Sequence, residues 1–216
     1  THRNIVRTVD SVLRALPMRD DDTSVIFLPL AHSLQRVAGY AGIRAGTQGV
    51  FAERIDKIVD NMQEFRPTVQ AAVPRIYEKV HARILARADE APPVRRKLFH
   101  WAIDIGKQVA ALERVGQRVP RVLRAQHRVA EKAVLQQIRE VFGGRIRFMI
   151  SGAAPISVEL LEFFDACGVR ILEGYGLTET TGPATINRPR APRFGTVGRA
   201  LDICEIRIAD DGEVLI

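Results

Sequence analysis

One stretch in the second half of the chain limits the fold more than any other. Its apolar pattern favours a strand over Ile146–Ile150, a helix over Ser157–Ala166 with Ser157 as its cap, and a second strand over Val169–Leu172. A strand, a helix and a strand in this order form a right-handed crossover between parallel neighbours. Because parallel strands end at the same edge of a sheet, we expect the segments that come after both strands to face one crevice.

These two segments carry small, aromatic, hydroxyl and acidic residues. The first is the turn Ser151–Pro155, and the second is the run from Glu173 to Gly182, which reads EGYGLTETTG. We predict that its glycines end the strand in a polar turn. Tyr175 offers a flat face for a base, threonine hydroxyls suit phosphate oxygens, and Glu179 is a hard ligand that suits Mg²⁺. On chemistry alone, an ordinary strand and turn with Thr178 as a helix cap is the commoner explanation of so short a motif.

The first 73 residues alternate between helical and strand-like patterns. Helical spacing covers 1–15, 34–43 and 55–65, with Thr1 as the first cap, and strand-like runs cover 25–28, 47–52 and 69–73. The alternation predicts an α/β fold of layered type, with a mostly parallel sheet and flanking helices. His32 lies just past the end of the first of these strands, where a lone histidine is more often structural than functional.

Residues 75–142 form a helical, basic segment that interrupts this alternation. Between Arg75 and Arg139 there are fifteen Lys or Arg against six Asp or Glu, and breaks fall near 91–93 and 116–120. Helical spacing predicts a cationic face opposite an apolar one in the last helix. The neutral Gln136 shares the cationic face with Arg121, Arg124, Arg128, Lys132 and Arg139, and the apolar face consists of Leu123, Ala130, Val134, Ile138 and Val141. A solvated face is the simplest interpretation, an anionic bilayer the second, and nucleic acid the third, because no nucleic-acid motif accompanies the charge.

The remaining composition narrows the class of protein. No uncharged apolar run of 18 residues and no signal-peptide pattern occur, so a cytoplasmic protein is the default expectation. Cys167 and Cys204 are the two cysteines, which predicts reduced, structural thiols and neither a disulfide framework nor a zinc site. The chain begins at Thr1 and stops at Ile216 inside an apparent hairpin, so we expect a piece of a longer protein.

Three ordered motifs resemble the adenylate-forming acyl-CoA synthetase superfamily: LPLAH at 28–32, SGAAP at 151–155 and YGLTET at 175–180. The segment EFRPTVQAAVPRIYEKV at 64–80 is similar to long-chain fatty-acid-CoA ligases in particular. The resemblance implies that Tyr175 stacks near adenine, that Thr178 meets the α-phosphate, that Glu179 binds Mg²⁺, and that His32 closes the wall between acyl group and adenylate. It makes Thr178 and Glu179 the catalytic residues and assigns nucleotide binding to Ser151, Gly152, Ala153, Glu173, Gly174, Tyr175, Gly176 and Thr178.

The same resemblance implies a reaction. The parent protein would activate a long-chain fatty acid with ATP and Mg²⁺ to an acyl-adenylate and transfer it to coenzyme A, with no nucleic-acid partner. Residues 1–194 would belong to the large N-terminal adenylating domain, and 195–216 would start the following β-subdomain. The family's phosphate loop, ribose aspartate and lysine-bearing domain lie outside the chain, so we expect the piece alone to be inactive.

Two alternatives stay open at this stage. One is a fatty-acyl-AMP ligase that passes its adenylate to a carrier protein. The other is a non-catalytic module that binds an anionic membrane through the basic helices and retains a vestigial nucleotide cleft. Location at the inner membrane face would accompany such peripheral contact.

Overall fold

A computed structural model describes all residues from Thr1 to Ile216. The helices are α1 (His2–Ala15), α2 (Ser33–Ala45), α3 (Ile58–Phe65, preceded by a 3₁₀ turn at Ile55–Lys57), α4 (Pro74–Asp89), α5 (Pro93–Arg114), α6 (Arg121–Ala130), α7 (Gln136–Glu140) and α8 (Val158–Ala166). The strands are β1 (Thr23–Ile26), β2 (Gln48–Phe51), β3 (Val69–Ala72), β4 (Phe148–Ser151), β5 (Ile171–Leu177), β6 (Gly182–Ile186), β7 (Arg199–Ala200), β8 (Arg207–Ile208) and β9 (Val214–Leu215). The predicted α/β class is confirmed.

A five-stranded sheet in the order β3-β4-β5-β6-β7 organises the molecule. The strands β3, β4 and β5 are parallel, whereas β6 and β7 join them antiparallel. The unit β4-α8-β5 is the predicted crossover, and the Ser157 hydroxyl accepts the Leu160 amide to cap α8 as the sequence predicts. The strands β8 and β9 form a separate antiparallel hairpin.

The strand before His32 does not belong to this ladder. Strand β1 pairs parallel with β2 in a two-stranded sheet. The Gln70 side chain of β3 joins the two sheets instead, because its amide nitrogen donates to the Val25 carbonyl at 2.8 Å and its oxygen accepts the Val25 amide at 2.9 Å. The sequence did not reveal this break, since a buried side-chain amide here takes the place of a backbone pair.

The sheet buries apolar side chains on both faces, as its parallel part requires. On one face, Met149 packs among Tyr77 of α4 and Phe164 of α8; on the other, Phe148 and Leu172 pack with residues of α1 and α2. The Tyr77 hydroxyl, inside the first cluster, donates to the Ile150 carbonyl at 2.9 Å. Both cysteines are free, and burial raises the pKa of the Cys167 thiol to about 12.

The basic helical segment is the connection between β3 and β4. Its breaks fall where the sequence predicts, but a π-helical turn at Glu131–Leu135 adds a residue to one turn and so rotates the remainder of the helix about its axis. The prediction that Arg139 shares the cationic face is therefore wrong. Its half-buried guanidinium pairs with Glu131 and donates to the Cys167 carbonyl at 3.1 Å.

The amino ends of three strands are held together by one buried carboxylate. Asp22 is 1% exposed and accepts hydrogen bonds from the Thr68 hydroxyl at 2.5 Å, the Arg19 amide at 2.8 Å and the Arg147 guanidinium, whose Nε lies 3.0 Å away. Burial acts to raise the pKa of Asp22, but the bonds from Arg147, Thr68 and the Arg19 backbone outweigh it and hold the pKa below its ordinary value.

We predict that Asp22→Asn lowers the free energy of unfolding by about 2–3 kcal/mol, because it leaves the Arg147 guanidinium without its partner. A group whose pKa is lower in the folded state stabilises above its unfolded pKa, and this contribution is lost as pH falls through the folded pKa. The difference in the free energy of unfolding between wild type and variant should therefore become smaller below about pH 4. Denaturant unfolding at neutral and acid pH measures it. Asp21→Asn, at an exposed neighbour without hydrogen bonds, is the control; equal stability of the two variants at pH 7 would contradict the assignment.

Candidate nucleotide and acyl site

The carboxyl ends of β4 and β5 bring the two predicted segments together. Ser151 and Glu173 are register partners on these parallel neighbours. The turn after Ser151 is tight enough to place Ala153 in the left-handed region at φ 69°, and a Cβ built on Gly152 would lie 3.7 Å from the Gly174 carbonyl oxygen. The expected common crevice is therefore present at the level of the backbone.

Strand β5 continues past the point where a polar turn was expected. The segment Gly174–Leu177 pairs antiparallel with β6, so the turn of this hairpin lies at residues 178–181. A Cβ at Gly176 would lie 1.9 Å from the Gly182 carbonyl oxygen, so the close approach of the two strands requires glycine there. The glycines that suggested a turn instead permit this tight pairing.

The polar side chains of the hairpin turn fall into two groups: one stabilises the turn, and the others make no hydrogen bond of their own within the chain. The Thr180 hydroxyl bonds the Leu177 amide at 2.9 Å and the Gly182 carbonyl at 2.7 Å, so it holds the turn. The Thr178 hydroxyl and the Glu179 carboxylate are exposed and make no hydrogen bond or ion pair within the chain. No group among residues 1–216 competes with a ligand for these two side chains.

Two buried polar atoms beside the hairpin also lack protein partners. They are the Ser151 hydroxyl oxygen and the Glu173 Oε2, and their residues face each other across the β4-β5 register. Burial raises the pKa of Glu173, while the Gly195 backbone N–H acts in the opposite direction. Buried polar groups are normally hydrogen-bonded, so the pair indicates a place where a polar ligand completes the bonding. A nucleoside with amino and hydroxyl groups fits this need.

A small cavity of about 70 Å³ joins three of the predicted segments. Its lining includes His32, the turn Ser151–Ala153 and the strand segment Gly174–Gly176, whereas Thr178 and Glu179 lie outside it. His32 is exposed and caps α2, accepting the Leu34 amide through Nδ1 at 3.2 Å. His32 therefore has a structural role as the cap of α2, and it also lines the edge of this cavity.

A larger apolar cavity of about 520 Å³ adjoins the small one, and the two share Val12, Leu16, Ala38, Ala71 and Ile150. It lies between α2 and the strands β1 to β4, and hydrophobic residues make up most of its lining. Sequence reasoning missed this cavity. The signal was the small residues of α2 at Ala38, Gly39, Ala41 and Gly42, which leave room along the helix face that meets the sheets.

The chain provides few side chains that could bind a metal ion. No cluster of three or more His, Cys, Asp or Glu side chains that could hold a metal by themselves occurs in the chain. Magnesium is commonly held by one or two carboxylates together with substrate phosphates and water. A single free carboxylate at Glu179 suits that mode of binding.

No helix combines the length and apolar character needed to cross a membrane.

Comparison with known proteins decides the family, because the family model described as AMP-binding enzyme matches residues 1–215. The chain belongs to this family. The resemblance drawn from the three motifs is therefore confirmed at the family level. The AMP-binding relatives with curated names include the putative fatty-acid–CoA ligase fadD11 of Mycobacterium tuberculosis, 37% identical over 220 residues. That alignment covers all of the chain and 38% of fadD11.

Other relatives of this AMP-binding chain have similar names. The long-chain-fatty-acid–CoA ligase FadD15 of Mycobacterium bovis is 33% identical over the whole chain and 36% of its own length. The peroxisomal long chain acyl-CoA synthetase 7 of Arabidopsis thaliana is 30% identical over 99% of the chain and 29% of its own length. The chain thus spans less than two fifths of these relatives.

Solved structures agree on the fold. Apo MatB from Rhodopseudomonas palustris matches all of the chain with a TM-score of 0.64 at 22% identity, over 34% of its own length. The o-succinylbenzoate coenzyme A synthetase MenE from Bacillus subtilis, solved with ATP and magnesium, matches 99% of the chain at 20% identity, over 34% of its own length, with a TM-score of 0.60. At these identities the likeness supports the AMP-binding fold alone.

Proposed function

We propose that the protein containing this chain is an ATP-dependent long-chain fatty-acid-CoA ligase that works through an acyl-adenylate. The observation that carries the proposal is the set of unpartnered polar groups at one sheet edge. The Ser151 hydroxyl oxygen and the Glu173 Oε2 are buried there, and Thr178 and Glu179 are exposed on the adjacent hairpin. The names of the relatives, fatty-acid–CoA ligases in two bacteria and a plant, support the substrate class.

The residues of the chain contribute mainly orientation and charge. In the proposal, Ser151, Gly152 and Ala153 form one wall of the adenine pocket together with Glu173, Gly174 and Gly176, and Tyr175 stacks on the base. The Thr178 hydroxyl donates to the α-phosphate, and Glu179 would hold Mg²⁺, which when bound neutralises phosphate charge. The attacking group is the fatty-acid carboxylate, which is already ionised, so no general base is needed.

We propose that the larger cavity receives the acyl chain. It is apolar, its volume lies in the range of ligand pockets, and it opens toward the small cavity where His32 stands. A carboxylate at the junction would face the hairpin while its alkyl chain lies along α2. His32 would then form part of the wall between acyl group and adenylate.

The limits of the domains and the final acceptor complete the proposal. Residues 1–194 would form part of the large adenylating domain and 195–216 would begin the β-subdomain. The β8-β9 hairpin makes no ladder with the main sheet, which supports a division, but β7 belongs to that sheet and so moves the proposed limit past Ala200. Coenzyme A is the proposed acceptor and the cytoplasm the proposed location. A fatty-acyl-AMP ligase that loads a carrier protein is the alternative, and adenylate formation followed by transfer to a carrier protein without coenzyme A would favour it.

We predict that Glu179→Gln in the full-length protein lowers fatty-acid-dependent ATP–pyrophosphate exchange by about 10²-fold or more, because the nucleotide loses its metal-holding carboxylate. Thr178→Val should lower exchange by about tenfold without changing the melting temperature. Thr180→Val should instead lower the melting temperature, since its hydroxyl holds the turn. Glu64→Gln, at an exposed carboxylate on α3, is the control. Near-normal exchange in the Glu179 variant would refute the metal role, and no exchange in the wild type would refute the proposed reaction.

We predict that larger residues at Gly39 shorten the accepted fatty acid. A Cβ there meets nothing within 4 Å, although the residue lines the large cavity from the middle of α2. Gly39→Ala should change the chain-length preference little, whereas Gly39→Leu should shift kcat/KM toward shorter acids by about tenfold or more. Both variants should fold, because each residue favours a helix more than glycine does. An unchanged profile across fatty acids of increasing length in the leucine variant would rule out this cavity as the acyl pocket.

Peripheral contact with an anionic membrane is a second proposal, carried by one surface. On α6, Val122 and Val129 are 72% and 57% exposed and lie beside Arg121 and Arg128 on the same helix. Exposed apolar side chains flanked by arginines suit an interface in which the cations meet lipid phosphates.

We predict that the full-length protein co-sediments with vesicles containing anionic lipid at low salt, and that the bound fraction falls several-fold at high salt. The double variant Arg121→Glu with Arg128→Glu should lose binding. Arg87→Glu, on α4, should keep it. Equal binding to neutral and anionic vesicles, or full binding by the double variant, would overturn the role of α6.

A further inference from the structure

A loop at residues 188–196 connects β6 to β7. We call it the arginine loop, because three of its nine residues are arginine. Asn187, which is 3% exposed and immediately precedes the loop, closes it with its side-chain amide. The amide nitrogen donates to the Thr196 carbonyl at 2.6 Å, and the amide oxygen accepts the Arg193 backbone N–H at 2.9 Å. The loop therefore has a defined shape that its own hydrogen bonds maintain.

The arginine loop meets Glu173 of the nucleotide cleft at both of its ends. At the start, the Asn187 backbone N–H donates to the Glu173 carbonyl at 2.8 Å. Near the end, the Gly195 backbone N–H stabilises the Glu173 carboxylate and so lowers its pKa against the effect of burial. The Glu173 Oε2 has no partner in the chain. The placement of the loop therefore determines how this carboxylate is presented to a ligand.

A buried carboxylate of α8 holds the opposite side of the arginine loop through two arginines. Asp165 is 5% exposed; the Arg170 Nε lies 3.1 Å from its Oδ1, and the Arg114 Nη1 lies 3.7 Å from its Oδ2. Arg170 also donates to the Pro189 carbonyl at 3.0 Å. The Arg114 guanidinium lies 4.3 Å from the centre of the Phe194 ring. Asp165 thus tethers the loop near its start and near its end.

The charge of Asp165 is costly at this position. Its Oδ2 is buried and has no hydrogen bond. Burial raises the pKa of Asp165, although Arg170 and Arg114 act to lower it. A buried ion pair contributes little to stability compared with apolar packing, and in some proteins it is retained because it fixes a single conformation. The segment that this ion pair fixes is the arginine loop.

We propose that Asp165 is a positioning residue that controls selection of the base. Through its two arginines it holds the arginine loop, and the loop holds the Glu173 carboxylate where it accepts the amino group of adenine. The inference rests on the proposed function, which places adenine beside Glu173. Asp165 itself does not line the cavity at this cleft. Its effect therefore falls on the preference for the base and not on the reacting phosphate.

The test uses the full-length protein and compares ATP with purine riboside triphosphate, the analogue that lacks the 6-amino group. Fatty-acid-dependent pyrophosphate exchange gives kcat/KM for each nucleotide, and their ratio is the preference for ATP. Asp165→Asn should lower this preference about tenfold, with kcat/KM for the analogue unchanged, because only ATP presents an amino group to Glu173. Glu173→Ala should lower the preference as much, and adding Asp165→Asn to it should have no further effect.

Two more variants complete the test. Glu159→Gln changes an exposed carboxylate of α8 that makes no hydrogen bond or ion pair, so it is the matched control and should keep the wild-type preference. Phe194→Leu keeps an apolar side chain at a half-buried position and removes the ring beside Arg114. It should lower the preference for ATP about threefold, as expected for one cation–π contact, without changing the melting temperature. This variant decides the question if Asp165→Asn does not fold.

The outcomes separate this inference from the one on which it rests. A wild-type preference for ATP in the folded Asp165 variant would overturn it, and so would an equal loss with both nucleotides, which a merely structural role would produce. If only Phe194→Leu folds, a wild-type preference in that variant decides against the inference. A wild-type preference in Glu173→Ala would remove the contact through which the loop acts and leave the proposed reaction standing. Absence of exchange in the wild type would reject the proposed function itself.

Discussion

The parallel register that sets Ser151 opposite Glu173 is the constraint on which the site depends. Strand β4 ends there, while β5 runs on for four residues and turns back as β6. Because β5 is longer, the β5-β6 hairpin extends past the turn that comes after Ser151. The segments that carry the small residues, the tyrosine and the acid are thereby held at one edge by backbone hydrogen bonds. The site needs no long-range contacts between side chains to bring them together.

Much of this arrangement was predictable from local sequence. Thr1 and Ser157 cap their helices as expected, and Pro74 begins α4, because capping and proline geometry depend on residues close in the chain. The crossover β4-α8-β5 followed from hydrophobic period alone. The features that were not predictable rest on tertiary partners. Gly174 and Gly176 signal a turn in isolation, yet pairing with β6 keeps them in a strand, and Gln70 joins two sheets that the pattern treated as one.

In the candidate site, the roles of single side chains also depend on tertiary partners and were not predictable from the sequence. The motif contains several threonines, and the sequence alone does not distinguish Thr178 from Thr180. In the structure, the Thr180 hydroxyl makes the hydrogen bonds of the turn, whereas the Thr178 hydroxyl is free. The orphaned oxygens of Ser151 and Glu173 depend likewise on burial that only the packed sheet creates. Arg139 was placed on the cationic face because the π-helical turn before it has no clear sequence signature. Family membership fixes the AMP-binding fold, and these local details turn it into a proposal about which atoms meet the ligand.

The central claim is that one sheet edge gathers a base pocket and a phosphate-binding hairpin around the same nucleotide. The most direct measurement is a crystal structure of the full-length protein with a non-hydrolysable ATP analogue and Mn²⁺, with the metal located by its anomalous signal. The account predicts a metal peak at bonding distance from the Glu179 carboxylate, with the base between Tyr175 and the turn 151–153. A nucleotide bound elsewhere, or a metal held to the phosphates at this edge without Glu179, would contradict it.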